Sequence, residues 1–492
     1  MSGYLIGAIV AIALYTILNL YVGMGKAYSK NEVSTARGYF IGNGMGMFVI
    51  YFTTMASFFS AWVFMGAPAS YYQHGVGWLA SMAWMLLNVW YMSKFGPKLW
   101  KMSQTKKYIT PAELVSDYYS SKWIKYVIAS FLLIYSIPNI IAQMTAIGNA
   151  FTTMSNGVFP YWIGVVYCAL VVGIYVFFGG FKSQAWVDTA QGILFVVVLW
   201  VAVIVMYFNC GYNGFGEMFS ALNESSRNLL VFSNEGSWPF SKWLSYTLVM
   251  GTGGYFAPYV WQRMYAAKSG KMITKMAGSL GFMYAIVVVL PICLCGLGAA
   301  VLVPDLANAD SVIVSTMTKY APLMSLFVVI AIIAAAMSTV SSILVSCSSM
   351  LAMDIFKTLK PEADTVKCRN AGRWFVLLII VISMVMAFSN VSGIALLVNT
   401  SYAGYAQMLV PAFCIFYCKK GTKAGVFSGY IAGNIICLLL TAFAPWVHGF
   451  SAGVIGLASN VLITFVVSLV TKEENSAYRE KFLEPLKVKI QL

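Results

Sequence analysis

Ala334-Ala-Ala-Met-Ser-Thr-Val-Ser-Ser-Ile-Leu-Val-Ser-Cys-Ser-Ser349 belongs to an apolar segment of membrane-helix length, yet it carries hydroxyl groups that a lipid-facing helix would not have. Ser338 and Thr339 follow Ala335 by three and four positions, so all three share one helical face. A backbone carbonyl and two hydroxyls facing the protein interior form a set of hard oxygen ligands suited to a dehydrated alkali cation. The alternative is that these hydroxyls bond back to carbonyls one turn earlier, or hold neighbouring helices together.

The composition is that of a polytopic membrane protein. The 492 residues are 60% hydrophobic and 10% charged, with a mean hydropathy of +0.78, which is far more apolar than a soluble domain. The formal net charge of +15 would fit a nucleic-acid-binding protein, but the basic residues lie between apolar segments. We predict thirteen membrane spans, near residues 3–25, 47–66, 75–95, 125–153, 158–178, 185–208, 241–262, 278–303, 323–352, 373–390, 393–418, 424–444 and 451–470.

The basic residues predict the orientation. The first span has no positive segment before it and no small-residue cleavage site, and Lys26 follows it, which predicts a retained helix with its N-terminus outside. Thirteen spans then put the C-terminus inside. Of the 31 Lys and Arg, 28 fall in the predicted inner loops and tail, Arg263 among them; only Arg227, Lys242 and Lys319 fall outside. The positive-inside rule is satisfied, so we expect a cell membrane of the bacterial inner-membrane type.

Several functional classes are excluded. The nine cysteines are scattered, mostly inside predicted spans, so no disulfide framework is indicated. His74 and His448 are far apart, and there is neither a nucleophile motif nor a pair of intramembrane carboxylates, so we predict no enzyme activity. No linker is long enough to separate a second domain. We therefore predict one transmembrane domain over residues 1–492.

Two spans have compositions that are unusual for membrane helices. The second contains Thr53-Thr-Met-Ala-Ser-Phe-Phe-Ser-Ala-Trp62, a cluster of hydroxyls, and the seventh contains Gly251-Thr-Gly-Gly-Tyr-Phe-Ala-Pro258. Three glycines and a proline are expected to break the seventh span and free backbone carbonyls and amides; the alternative is a simple kink. The two spans are five apart in order. That spacing is expected if spans two to six and seven to eleven, about residues 47–208 and 241–418, are inverted repeats.

Four motifs distributed along nearly the whole chain occur in a combination typical of one family. They are Gly179-Gly-Phe-Lys-Ser183 with Trp186, Asp188, Thr189 and Gln191 after it; Met337-Ser-Thr339 with Ser346, Ser348, Ser349 and Met353-Asp-Ile-Phe356 after it; Lys420 followed by Gly425, Gly429 and Gly433; and Tyr39-Phe-Ile-Gly42 leading into Ser60-Ala-Trp62 and Met65-Gly-Ala-Pro68. On these motifs the chain resembles the solute:sodium symporter family. Cys347 interrupts the serine run, and Val426 stands where the family usually has alanine.

The resemblance implies an all-α LeuT-type fold, a five-helix inverted repeat with one extra helix before it and two after it. It also implies a sodium ion, as the coupling ion and with no other cofactor, between spans two and nine. Carried over residue by residue, the sodium ligands are the carbonyls of Ala56, Phe59 and Ala335 and the hydroxyls of Ser338 and Thr339. The resemblance further implies that Asp188, near the inner end of span six, lies on the inward ion path. The alternative for Asp188 is a solvated helix cap.

The absence of acidic residues from several predicted spans limits the class of solute. Phe58 stands where proline-transporting members carry an acidic residue, and no other acid lies in spans two, four, seven, nine or eleven. A buried cationic group needs a partner, which disfavours a compact cation as solute. The similarity of residues 39–42 and 60–68 is greatest to pantothenate and monocarboxylate members, although no membrane-embedded Arg or Lys is evident to pair with a carboxylate. Candidate solute contacts, each of which could equally be helix packing, are Ser57, Ser60, Trp62, Asn139, Gln143, Thr145, Tyr255, Asn399, Tyr402 and Gln407.

The resulting prediction is a secondary transporter that couples inward sodium flow to import of a small organic solute, of which a monocarboxylate or a pantothenate-like compound is the expected class. One sodium ion moving down ~100 mV gains about 2.3 kcal/mol, and a tenfold gradient adds roughly 1.4 kcal/mol. The alternative is a sodium-independent uniporter or channel for a small neutral polar solute such as a sugar. We expect solute, sodium and the lipid bilayer as partners, and neither nucleic acid nor an obligatory protein partner.

Overall fold

The computed structural model describes residues 3–26, 32–42, 44–232, 239–389, 393–418, 420–472 and 476–487. These residues are mostly helical, because a backbone in lipid has to satisfy its hydrogen bonds within its own segment. In the described part of the chain, the β-structure is a short hairpin that pairs Trp446–Val447 with Phe450–Ser451, and an isolated bridge between Met45 and Ala267.

Eight of the described helical segments are long and apolar enough to cross a membrane. They are Gly3–Gly25, Lys122–Met154, Tyr161–Phe208, Gly270–Leu302, Pro322–Leu359, Thr365–Ala387, Lys423–Phe443 and Ala452–Val470, and a ninth is the bent pair Met47–Phe58 and Ala61–Leu79. The other α-helices are Ala36–Phe40, Trp84–Lys106, Pro111–Tyr118, Phe215–Ser226, Phe240–Phe256, Pro258–Ala266, Val312–Tyr320, Ile394–Ala406, Leu409–Phe413, Ser476–Phe482 and Glu484–Lys487. Thirteen spans remain a prediction.

The segment Tyr161–Phe208 accounts for two of the predicted spans. Its 48 residues would form a helix roughly 72 Å long, more than twice the ~30 Å hydrocarbon core of a bilayer. The run is interrupted at Gly180, where φ is 58° and ψ is −152°. Only glycine suits this position, because a Cβ there would also lie 2.3 Å from the Tyr39 carbonyl oxygen. The motif glycine thus separates the spans predicted at 158–178 and 185–208.

The second predicted span is broken. The helix Met47–Phe58 is followed by Phe59, which is not helical, and by Ser60, which is extended (φ −60°, ψ −175°). A second helical segment then begins, at an angle of 60° to the first. The Ser60 hydroxyl accepts a hydrogen bond from the Trp62 amide at 3.3 Å and caps that segment. We call Phe59 and Ser60 the unwound segment.

The seventh predicted span breaks within the stretch 251–258, at its proline and not at its glycines. The helix Phe240–Phe256 continues through all three glycines, and the break is at Ala257 (φ −57°, ψ 134°), where the helix Pro258–Ala266 begins. The residue before a proline is disfavoured in the helical region, so Pro258 decides the position of the break. The glycines instead allow close helix packing, since a Cβ on Gly253 would lie 2.0 Å from the Tyr402 carbonyl oxygen.

The serine-rich helix, Pro322–Met350, lies at the centre of the molecule. In the most apolar 18-residue stretch of Pro322–Leu359, 72% is buried, compared with 22% in the corresponding stretches of Gly3–Gly25 and Ala452–Val470. The serine-rich helix packs against Lys122–Met154 and Tyr161–Phe208, so its hydroxyls face protein. The first and last spans are therefore peripheral and present their apolar side chains to lipid.

Candidate ion and solute site

Four oxygen atoms predicted as sodium ligands converge between the serine-rich helix and the end of Met47–Phe58. The Ser338 hydroxyl lies 3.0 Å from the Ala56 carbonyl oxygen and 2.9 Å from that of Ala335, and the Thr339 hydroxyl lies 3.2 Å from the Ala335 carbonyl oxygen. All four residues are buried. Because Ala56 is in the last turn of its helix, its carbonyl lacks the usual intrahelical partner. We call this group the oxygen cluster.

Phe59, the fifth predicted ligand, is the first residue of the unwound segment. Its φ of −99° and ψ of 60° take it out of the helix, so its carbonyl is released from the helical hydrogen-bond ladder. The Phe59 ring stacks on Tyr284 at 5.4 Å and is fully buried. The donor set of released carbonyls and hydroxyls, without a carboxylate, has the chemistry that a monovalent hard cation prefers.

Asp188 forms a buried ion pair with Arg263. The Arg263 Nη2 lies 3.2 Å from the Asp188 Oδ2, and both side chains are 0% exposed. This contradicts the prediction that Arg263 lies in an inner loop and that no basic residue is embedded among the spans. It also excludes the solvated helix cap for Asp188. A signal was present in the sequence: Arg263 follows Pro258 by five residues within an otherwise apolar, aromatic helix, and a charge there requires a partner.

Polar side chains from three helices surround this ion pair. Thr53 donates to Asp188 Oδ2 at 2.7 Å and Ser341 donates to Asp188 Oδ1 at 3.3 Å. The Arg263 Nη2 donates to the hydroxyls of Thr53 at 2.9 Å and of Ser342 at 2.7 Å. Gln184 donates to Asp188 as well. The pair therefore has the additional hydrogen bonds that a buried ion pair needs in order to be tolerated.

The ion pair and the oxygen cluster are directly connected. Ser342 donates to the Ser338 carbonyl oxygen at 2.7 Å while it accepts from Arg263. Ser57, predicted as a solute contact, lies in this network instead: its hydroxyl donates to the Thr53 carbonyl oxygen and is 2.8 Å from the Ser342 hydroxyl. A cation that moved from the oxygen cluster toward Asp188 would meet the guanidinium.

Three candidate solute residues meet at the unwound segment. The Gln143 Oε1 accepts from the Ala61 amide at 3.0 Å, and its Nε2 donates to Asn139 at 3.0 Å. Trp62 packs against Trp78, with ring centroids 6.0 Å apart. Together with Ser60, the two residues Gln143 and Trp62 line the break from two helices.

The other candidates lie elsewhere. Tyr255 stacks on Tyr91 with ring centroids 6.1 Å apart. Gln407 donates to the Ala403 and Gly453 carbonyls at 3.2 and 3.4 Å and accepts from Asn460 at 3.2 Å, so it binds the last predicted span. The hydroxyls of Tyr402 and Tyr259 are 3.3 Å apart, and Thr145 accepts from Tyr161 at 3.0 Å.

An open cavity of about 510 Å³ lies next to Trp62. Its lining includes Gly66, His74, Trp78, Tyr246, Asp310 and Asn399. A Cβ on Gly66 would lie 2.9 Å from the Trp62 ring, and Trp78 packs on the other side of that ring. The cavity therefore ends on aromatic side chains that separate it from the unwound segment.

Comparisons with known proteins identify relatives of this chain and structures with a similar fold. The model of the sodium:solute symporter family matches residues 39–433. The sodium/proline symporters of Staphylococcus aureus strains JH9 and N315 are each 26% identical over 487 residues, which cover 94% of this chain and 93% of the relative.

Two solved structures are similar over almost their whole length. A Na⁺-coupled sialic acid symporter in a substrate-bound outward-open state has a TM-score of 0.76 at 18% identity, covering 95% of this chain and 98% of that one. A nucleobase-cation-symport-1 family transporter, in a closed conformation with bromovinylhydantoin bound, has a TM-score of 0.56 at 14% identity, covering 92% and 100%. At these identities the likeness shows the fold, which is that of LeuT-type transporters, as predicted.

Proposed function

Because the chain belongs to the sodium:solute symporter family, we propose that it imports a small monocarboxylate together with sodium by alternating access. Sodium-coupled symport in a membrane follows from the family, as does the absence of an enzymatic role. A sodium-independent uniporter is not favoured. The import direction and the solute are our proposals.

The observation that carries the proposal is the oxygen cluster beside the unwound segment. Sodium has to shed its water to cross, so the protein must supply several oxygen atoms at once. The Ser338 hydroxyl lies 3.0 and 2.9 Å from the carbonyl oxygens of Ala56 and Ala335, and the Thr339 hydroxyl lies 3.2 Å from that of Ala335. We assign the sodium site to these residues together with the Phe59 carbonyl. Binding there would hold the broken helix against the serine-rich helix, which is a means of coupling sodium to the solute site.

The two carboxylates that form buried ion pairs support an anionic or neutral solute, although Asp310 lines the open cavity. Asp188 is neutralised by Arg263, and Asp354, at the end of the serine-rich segment, lies 3.7 Å from the Lys125 ammonium group. Neither carboxylate is free to bind a solute ammonium group, and Phe58 contributes no charge. The helix that restarts at Pro258 has its N-terminus inside the membrane region, and a helix N-terminus favours a carboxylate.

A second candidate solute is L-proline, because curated relatives are sodium/proline symporters. Proline has the required carboxylate but also a secondary ammonium group. That group would need a partner in a site of low dielectric constant.

We also propose a membrane topology for the chain. We propose thirteen spans in a single domain over residues 1–492, with repeats near 47–208 and 241–418, the N-terminus outside and the C-terminus inside. The placement of 27 of the 31 basic residues, without the buried Arg263, supports this orientation. Asp188 with Arg263 would then stand on the inward path of the ion, where the pair has to open for sodium to leave. No obligatory protein partner is proposed.

Uptake by proteoliposomes tests the function. Radiolabelled lactate, propionate, pantothenate, L-proline and glucose are each offered with an inward sodium gradient, and again with potassium replacing sodium. We expect accumulation of at least one monocarboxylate that depends on the sodium gradient and collapses when it is dissipated. Accumulation of proline alone would replace the monocarboxylate assignment, and equal uptake with and without sodium would reject symport.

A further inference from the structure

Asn88 is buried without a hydrogen-bond partner for either end of its amide. It lies on the helix Trp84–Lys106 and is 0% exposed. Neither Nδ2 nor Oδ1 has a partner among the described residues. Native proteins leave few buried polar groups unsatisfied, since their lost hydration is then uncompensated. Such an amide is able to bind the polar groups of a solute.

The amide lies where three helices meet. A Cβ on Gly254, three residues before the break at Ala257, would lie 2.7 Å from the Asn88 Nδ2. The same point is 3.8 Å from the rings of both Trp84 and Tyr402. The helices Trp84–Lys106, Phe240–Phe256 and Ile394–Ala406 thus all contribute to the surroundings of Asn88, and a side chain at position 254 would occupy the space in front of the amide.

Asn88 is also linked to the unwound segment. Trp84 precedes it by one turn on the same helical face. The Trp84 ring is in edge contact with Trp62, with centroids 6.4 Å apart, and Trp62 is two residues after Ser60. Trp62 in turn packs against Trp78, which lines the open cavity. Ring contacts thus connect the surroundings of Asn88 with both the unwound segment and the cavity.

We propose that Asn88 is a specificity-determining residue of the solute site, which selects monocarboxylates that carry a hydroxyl or N–H group of their own. Its Nδ2 donates to a carboxylate oxygen and its Oδ1 accepts from the second group, since an amide is able to do both in one plane. An unsubstituted monocarboxylate leaves Oδ1 unpaired, and a site built to bond a solute hydroxyl rejects the analogue that lacks it. The proposal rests on the proposed function.

The decisive experiment compares lactate with propionate, which differ by one hydroxyl group, and adds pantothenate as a larger hydroxylated probe. In the wild-type chain we expect kcat/KM to be at least tenfold higher for lactate or pantothenate than for propionate. In Asn88→Leu, which keeps the side-chain size without its polar atoms, this preference should fall to below about threefold. Asn88→Gln, which keeps the amide, should retain part of it.

Thermal unfolding separates recognition from a structural role. Asn19 is the control, because it is also buried (4% exposed) but has its Nδ2 bonded to the Tyr15 carbonyl and its Oδ1 to Gln191, at 2.8 and 2.9 Å. Without solute, Asn88→Leu should have an unchanged or higher Tm, whereas Asn19→Leu should lower it. With saturating lactate, the wild-type Tm should rise, and the Tm of Asn88→Leu should rise much less.

The outcomes are distinguishable. If the wild-type chain accumulates a monocarboxylate with sodium and Asn88→Leu keeps its preference, or lowers Tm as Asn19→Leu does, Asn88 is structural and this inference is overturned alone. If the wild-type chain shows sodium-driven uptake of none of the three probes, the proposed function fails, and the role of Asn88 fails with it.

Discussion

Arg263 and Asp188 are joined by a contact of 3.2 Å between Nη2 and Oδ2, and neither side chain is exposed. The two residues come from different predicted repeats, and Ser342 connects them to the oxygen cluster. Removing one partner of such a pair leaves a buried uncompensated charge, at a cost of roughly 3–5 kcal/mol. The pair is therefore both a structural contact and an obstacle to a cation moving inward.

The first prediction concerns this pair. Asp188→Asn and Arg263→Gln should each lower the Tm of the purified protein, because each leaves one charge unpaired. The double variant should recover most of the lost stability, yet its uptake should remain slow or only weakly dependent on sodium. Thermal unfolding and sodium titrations of uptake measure the two effects. A double variant with wild-type sodium dependence would reduce the pair to a structural role.

The second prediction concerns the sodium ligands. Ser338→Ala and Thr339→Ala should each raise the sodium concentration for half-maximal uptake roughly tenfold or more, if a ligand is worth ~1.5–3 kcal/mol. Thr339→Ser should be mild because it keeps the oxygen. Ser348→Ala is the control: Ser348 is buried on the same helix, but its hydroxyl bonds only to the Val345 carbonyl at 3.0 Å. Similar behaviour of Thr339→Ala and Thr339→Ser would mean that the hydroxyl only joins helices.

The third prediction concerns the glycines of the seventh predicted span. Gly253→Ala would place a Cβ 2.0 Å from the Tyr402 carbonyl oxygen, so the two helices must separate. We expect a lower Tm and strongly reduced uptake, since overpacking costs about 1–3 kcal/mol. Gly278→Ala should instead be neutral or slightly stabilising, because nothing lies within 4 Å of its Cβ position and alanine favours a helix. Wild-type behaviour of Gly253→Ala would show that this close contact is not maintained.

The fourth prediction concerns orientation. Single cysteines at positions 227, 106 and 367, in a variant without native cysteines, are treated with an impermeant thiol reagent in intact cells. Arg227, Lys106 and Lys367 are all exposed, so a failure to react reports the side of the membrane and not burial. Labelling is expected at 227 only. Labelling at 106 before permeabilisation would invert or disprove the proposed topology.

Features that depend on neighbours along one helix were predictable from the sequence. Ala335, Ser338 and Thr339 share a face because helical periodicity is local. The four motifs predicted the family and the fold. The break in the seventh span was predicted within residues 251–258, and Pro258 rather than the glycines decides where the helix stops.

The partners of buried polar groups required the tertiary structure. Arg263 looks like a loop residue until Asp188, 75 positions away, is placed opposite it. Ser57 joins that ion pair, Gln407 pairs with Asn460, and Asn88 has no partner among the residues that the structure describes. Whether a buried charge or amide is tolerated in a membrane protein depends on the group that faces it. That neighbour comes from a distant part of the chain, so helical spacing identifies the face of a polar residue but not what it binds.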